Sequence, residues 1–525
     1  MLFSRRGFNL SALGALGLTA GGLEACARRQ GFAGKTLIFA QAMEPTFINM
    51  AITSAAPANF VSSKVYEGLL EYDSNGNPLP QLATSWEVSQ DGLTYRFGLR
   101  PNVRWHDGQP FTSKDVAFSV LQAWKKHHSR GRTVFGNVQH VDFSDPLTAV
   151  WRLSKPAPYI LKTLPVSEYP VLPAHLFEGG DILSSPYNMR PVGTGPFRFV
   201  RWERDAQIIV ERNPDYWDRP KPYLDRIVVR FLPDPTSTVT ALEAATVDLA
   251  LVPFAEVGRL KTNDKINLLK AASTFLSYFN IEFNLDRPYF KDVRVRHAIA
   301  HAIDREFLAK HIVGDAVVAT GIVPPGIKDF FEADLPAYPF DLDKAKALLD
   351  DAGLLPGPDG VRLRIFLDSA NGIANTRIGS AIRSTLAKAG IALQPRVADQ
   401  GEYISRVYTR RDFDLSMTGG GTGRDPAIGI QRLYWSKNIT KGVAFSNGAG
   451  YSNPRVDHLL EAAQVELDPA KRKAYYREFQ MIVMQDLPLI PLYWTTGGYL
   501  GASKKVKGLA LGLGGTNVGF AGVSI

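Results

Sequence analysis

Between Ala83 and Trp124 an alternating apolar pattern gives way to a helical one, and that switch limits the possible folds more than any other feature. Ala83 to Val88 reads as one strand and Asp91-Gly92 as a tight turn. Leu93, Tyr95, Phe97 and Leu99 then alternate as the inward face of a second strand, completing a hairpin. Thr112 stands three residues before Asp115, the spacing of a capping box, and Val116, Val120, Ala123 and Trp124 recur at helical spacing behind it. A hairpin covered by a helix implies a mixed α/β unit.

The same alternation continues along the chain. Thr36 to Phe39 reads as a first strand, followed by a loop and an apolar helix-like segment from Phe60 to Leu70. Pro191 to Asp218 reads as a turn, two strands and another turn. Ile227, Val229 and Phe231, then Thr236 to Ala245, then Val247 to Val252 form a βαβ unit. Farther on, strands at Val361–Leu367, Ile391–Val397 and Phe413–Met417 alternate with helices at Thr376–Ala389 and Tyr403–Thr409. A chain of 525 residues exceeds what one core supports, so two or three domains are expected. With 45% hydrophobic and 21% charged residues and no low-complexity tract, it reads as an ordinary globular protein.

The formal charge is +9, but four arginines against one glutamate place +3 of it in the first thirty residues. The remainder is a weak nucleic-acid signal, and no nucleic-acid partner is expected. The one dense basic run, Lys125 to Arg132, lies where the helix starting near Thr112 should end, and reads as a solvated helix end complementing exposed carbonyls.

Residues 1–27 read as an export signal: Arg5-Arg6, an apolar run from Phe8 to Leu23, then small residues around Cys26. The apolar run has sixteen residues, short of the roughly 20 that span a bilayer, and no later segment approaches that length. Ser4 to Phe8 resembles a twin-arginine signal. Cys26 is the only cysteine and has two readings, a lipobox cysteine in Leu23 to Cys26 that becomes acylated, or part of an Ala25-Cys26-Ala27 cleavage site and discarded. Under either, the mature chain has no free thiol and no disulfide.

Catalytic motifs are missing from the sequence. There is no HExxH, no G-x-S-x-G, no S-x-x-K and no P-loop. His297 and His301 share a helix face, but the residues between them supply no general base and two histidines fall short of a zinc site. His127 and His128 are adjacent and point to different faces. No catalytic residue, metal site or cofactor is expected.

Three blocks stand out. The first runs through Ser85-Trp86, Asp91-Gly92, Leu99-Arg100, Trp105 to Gly108, Pro110 to Thr112 and Asp115-Val116. The second is Gly193-Thr194-Gly195-Pro196 followed by Asn213-Pro214 and Tyr216-Trp217. The third comprises Asn284, Pro288 to Phe290, Asp292 to Arg296 and Ala302 to Arg305, and Leu487 to Trp494 closes the series. Together they resemble family 5 solute-binding proteins, the receptors that hand peptides, nickel complexes and other solutes to ABC importers. The resemblance implies a periplasmic binding protein-like fold, two α/β lobes around a hinge-closed cleft with a small inserted domain. It divides the chain into lobe I (32–58, 190–283 and 492–525), inserted domain II (59–189) and lobe III (284–491). It further implies a monomeric periplasmic receptor, or a lipid-anchored one, that binds a peptide or small solute and docks on permease subunits.

Gly419 to Asp425 is the most unusual local composition. It follows the Phe413–Met417 strand, and ligands in α/β sheets bind beyond carboxyl ends of strands, so Met417, Thr418, Gly420, Thr422, Arg424 and Asp425, with Asp368 and Asn371 after their own strand, are the candidate ligand-binding residues. Peptide receptors of the family carry a Trp at the start of this loop and an Asp that pairs with the peptide ammonium. This chain has Thr418 or Gly419 and Thr422 there, leaving Asp425 as the only nearby acid. Either Asp425 takes the ammonium from a shifted position, or the solute is not a free-amine peptide and Arg424 favours an anionic one. Peptide is the first expectation for the solute, with an opine-like conjugate, a saccharide or sugar phosphate, or a metal complex as the alternative. An exported hydrolase is the rival of a different class.

Overall fold

A computed structural model describes residues 34–525 except 74, 129, 271–276, 496–497 and 512–514; the export signal and Cys26 lie outside the described residues. The first strand, Thr36–Gln41, becomes the centre of a seven-stranded sheet. Its order is Ile266–Lys270, Tyr499–Ser503, Leu249–Val252, Thr36–Gln41, Arg226–Phe231, Gln207–Arg212, Phe197–Glu203. Thr36–Gln41 is parallel to both neighbours, as the βαβ reading requires. Its apolar run is covered on both faces: Leu37 and Phe39 enter one core cluster, Ile38 and Ala40 another.

The inserted domain carries a four-stranded sheet in the order Ala83–Val88, Thr94–Leu99, Thr148–Leu153, Val138–Asp145. Tyr95, Phe97 and Leu99 are buried, as their alternation implies, while Leu93 is half-buried in the turn. Asp91 Oδ1 accepts from Leu93 N at 3.0 Å, and Gly92 takes φ +67°. Thr112 and Asp115 form the capping box of helix Ser113–Phe118. The Asp115 carboxylate is itself buried and also accepts from Trp105 Nε1 (3.3 Å) and Ala174 N (2.9 Å), so the cap doubles as a tie inside the domain.

A six-stranded sheet forms the core of lobe III, in the order Ala316–Val318, Leu489–Thr495, Ser277–Phe283, Leu415–Gly421, Leu363–Ala370, Ile391–Ala398. Ser277–Phe283 pairs on both sides within it, and Leu489–Thr495 pairs with Ser277–Phe283 and Ala316–Val318. The chain therefore changes sheets between Lys270 and Ser277 and again between Thr495 and Tyr499, not at the expected 283/284 and 491/492. An apolar strand can satisfy either sheet, so hydrophobicity alone does not mark the change. The third resemblance block serves as scaffold: Arg296 donates to the Phe290 and Asp486 carbonyls, and Arg305 to those of Ala319, Pro491 and Tyr338.

Glu67 joins the first two bodies. Its carboxyl is 2% exposed and accepts from Gln81 Nε2 (2.6 Å), Thr194 Oγ1 (2.8 Å), Tyr216 OH (3.0 Å) and Trp217 Nε1 (3.1 Å). Burial pushes its pKa up to about 7, against the pull of these four donors. Arg100 stacks on Trp217 at 3.9 Å and donates to the Gln81 carbonyl, extending the tie to the hairpin. Gly193 and Gly195 are required beside it, since a Cβ at Gly193 would lie 1.9 Å from the Val65 carbonyl oxygen. Replacing Glu67 by Ala leaves four donors without their acceptor, and we expect a loss of about 3 kcal/mol. Thermal unfolding of Glu67→Ala and Glu67→Gln checks this; Gln should recover only part, because its one amide oxygen cannot serve every donor and its amide nitrogen can accept none of them, in particular the Trp217 indole, which only donates.

Candidate functional site

The glycine-rich segment begins as sheet, not loop: Gly419, Gly420 and Gly421 belong to a strand. Leu415–Gly421 continues past the expected end at Met417 through Gly421, with Gly419 opposite Phe279 and Gly420 opposite Tyr278. The missing side chains make room for rings on the neighbouring strand: a Cβ at Gly419 would lie 2.8 Å from the Phe279 ring, and one at Gly420 would lie 3.2 Å from Tyr278 OH. The backbone turns only at Thr422 to Asp425, with Gly423 at φ +68°.

The candidate residues fall into two groups. Met417 and Thr418 stay in the strand; the Met417 carbonyl accepts from Tyr403 OH at 2.8 Å, and Thr418 is buried with its hydroxyl 3.5 Å from that of Tyr408. Thr422 is buried and donates to the Gly423 carbonyl. Asp368 is 1% exposed and held by Arg396 (2.6 Å) and Arg406 (2.7 Å), while Asn371 is exposed on the edge half of the sheet. Their strand lies on the other side of Leu415–Gly421 from Tyr278 and Phe279, so the structure does not gather them with the turn.

Asp425 is fully buried in a bidentate pair with Arg472, at 2.6 and 2.7 Å, and also caps Ala427 N. Lys162 Nζ of the inserted domain stands 3.9 Å away. Both carboxylate oxygens are thus committed inside the protein, leaving a shifted ammonium no free acid on this turn. Arg424 behaves differently. Its guanidinium lies 4.0 Å over the Tyr72 ring, across the junction between lobe III and the rest of the chain, and its Nη1 is buried without a hydrogen-bond partner.

Other contacts cross the same junction. Gln464 donates to Tyr159 OH at 3.1 Å, Lys162 pairs with Asp329 at 3.3 Å, and Ala427 and Ile428 enter the core shared by lobe I and the inserted domain. Part of the basic run also lies here, contrary to the expected solvated helix end. The helix stops at His127, His128 is fully buried, and Arg130 is 7% exposed in a 2.6 Å pair with Glu168. His128 and Tyr169 rings are 4.7 Å apart, and Arg432, 8% exposed, donates to Tyr278 OH at 3.2 Å. Sequence reading missed His128, Arg130, Tyr169, Tyr278 and Arg432 because nothing local distinguishes a junction residue from a surface one. His297 and His301 bond to the Gln485 and Pro339 carbonyls, which accounts for both as packing histidines. No cluster among the described residues could hold a metal ion, and no described helix is long and apolar enough to cross a membrane.

Two α/β lobes and an inserted domain meeting at a polar junction define a solute-binding receptor. The chain belongs to the bacterial extracellular solute-binding proteins, family 5, whose model matches residues 77–442. It is 29% identical over 477 residues to di/tripeptide-binding protein 2 of Pseudomonas aeruginosa, covering 84% of this chain and 88% of that one. NikZ of Campylobacter jejuni in complex with Ni(L-His) superposes with a TM-score of 0.82 at 27% identity, covering 93% of this chain and 99% of that one. DppA of Helicobacter pylori in complex with the peptide STSA gives 0.80 at 26%, covering 94% and 98%.

The Asp425–Arg472 geometry gives a direct test of what this acid does. Asp425→Ala leaves Arg472 buried and unpaired, an expected loss of about 3–5 kcal/mol, whereas Asp425→Ala with Arg472→Met should recover most of it. Chemical denaturation of the single and double variants measures both.

Proposed function

We propose that this protein captures a peptide or peptide-like solute where lobe III meets lobe I and the inserted domain, and hands it to the permease of an ABC importer without changing it covalently. The observation that carries this reading is the junction itself: half-buried and buried polar groups from separate bodies face one another there, and Arg424 Nη1 lacks a hydrogen-bond partner within the protein. Buried polar groups are normally paired, so this is the group a solute would complete. A solute touching both sides then stabilises the closed arrangement by population shift. Peptide is the first class because the di/tripeptide-binding relative and the peptide-bound DppA share this architecture along nearly their whole length. Export through the Arg5-Arg6 signal, and the acylation or removal of Cys26, complete the periplasmic reading.

Native mass spectrometry of the mature chain with a di- and tripeptide pool should show one unchanged peptide per protein, and cleaved peptide would sink the receptor reading in favour of a hydrolase. Arg424→Ala is expected to weaken the captured peptide roughly ten-fold or more, the effect of losing a charge-assisted hydrogen bond, while leaving the melting temperature close to that of the parent.

A further inference from the structure

We propose that the turn after strand Leu415–Gly421 carries a latch: Ala427 and Ile428 of lobe III seat in the inserted domain and keep the closed arrangement populated without solute, while Gln464 and Leu467 secure its rim. The proposal rests on the receptor reading above and adds what sets the balance that a solute shifts.

The knob is built within lobe III. Asp425 receives two hydrogen bonds from Arg472, at 2.6 and 2.7 Å, and its Oδ1 also accepts from Ala427 N at 3.1 Å, so the start of helix Pro426–Gly429 is fixed by a buried pair. The backbone folds tightly around it. A Cβ at Gly429 would lie 2.6 Å from the Thr422 carbonyl oxygen, and one at Gly423, which takes φ +68°, would lie 2.6 Å from Ile428 Cγ2. None of these contacts involves the inserted domain, so the knob keeps its shape whether or not the bodies have met.

Its seat lies in the other body. Ala427 and Ile428 are 2% and 3% exposed, and they belong to the apolar core of lobe I and the inserted domain, not to that of lobe III, which takes Ile430 and Leu433 a few residues on. Helix Pro426–Gly429 lies against Gly131–Val134. Two rim contacts stand apart from the knob. Gln464 Nε2 donates to Tyr159 OH at 3.1 Å, and Leu467 closes on Pro156 and the Asp91-Gly92 turn so nearly that a Cβ at Gly92 would lie 3.0 Å from Leu467 Cδ2. Separating lobe III from the inserted domain returns these apolar groups to water, a cost that holds the closed form with or without solute. Solute affinity scales with the fraction of protein already closed, so the latch tunes it from residues that need not touch the solute.

Thiol labelling tests this on the full mature chain, with Cys26→Ser where that residue is retained, freed of co-purified solute by unfolding and refolding. Ala427→Cys places one reporter in the seat, and Ile428→Cys serves if the first does not fold. With the native rim, a maleimide reagent should label the reporter far more slowly than it labels the urea-unfolded chain. Adding Gln464→Ala and Leu467→Ser, which lie outside the seat, should raise the rate about ten-fold or more, the effect of one lost hydrogen bond and one lost aliphatic contact on the closed-to-open ratio. Labelling as fast as in the unfolded chain, or a rate that the rim substitutions leave unchanged, overturns the proposal; the second result would mean that the turn opens by itself rather than with the lobe. No solute enters the measurement, so a protein that shows the expected rates yet captures nothing from a di- and tripeptide pool fails the receptor reading alone.

Discussion

The Glu67 carboxyl accepts hydrogen bonds from side chains on three other stretches of chain, and the arrangement of lobe I against the inserted domain depends on it. Two of those stretches, Gly193 to Pro196 and Asn213 to Trp217, have no chemistry of their own to perform. They fix donors and close backbone approaches around one buried acid. Burial disfavours the charge and four donors favour it, so a hydrophobic side chain could not substitute without stranding them. With this node in place, the hairpin from Ala83 and the sheet around Thr36–Gln41 present a single rigid face, against which lobe III can register Arg424, Asp425 and Arg432.

At that face the protein distinguishes two uses of charge. Asp425–Arg472, Arg130–Glu168 and the Asp368 clamp are closed accounts in which each acid meets a guanidinium at 2.6 to 2.7 Å. Arg432 and Arg424 stay open, buried or half-buried without an acid in contact. Closed pairs hold shape.

What could be read in advance was what depends on neighbours in sequence. The hairpin at Ala83, the capping box at Thr112 and the alternation of Arg226–Phe231 are local patterns, and each appears where its spacing places it. Gly419 to Gly421 misled because glycine signals freedom locally, whereas these glycines accommodate Phe279 and Tyr278, rings supplied well over a hundred residues earlier. Asp425 looked available because Arg472 lies 47 residues away. His128 and Arg130 looked solvated because the groups that pack on and pair with them, Tyr169 and Glu168, are distant in sequence, Glu168 by 38 residues. Burial and pairing across a junction leave no periodicity to find.

The position of Tyr499–Ser503 constrains how the molecule is made. This strand lies between Leu249–Val252 and Ile266–Lys270, so the edge strand Ile266–Lys270 has no neighbour in the sheet until the last thirty residues exist. Lobe III is contiguous from Ser277 to Thr495 and the inserted domain is nearly so, which lets both condense while lobe I waits. Synthesis from the amino terminus thus begins the first sheet earliest and finishes it last. Assembly of the whole is a late event, gated by the emergence of a five-residue strand at the far end of the chain.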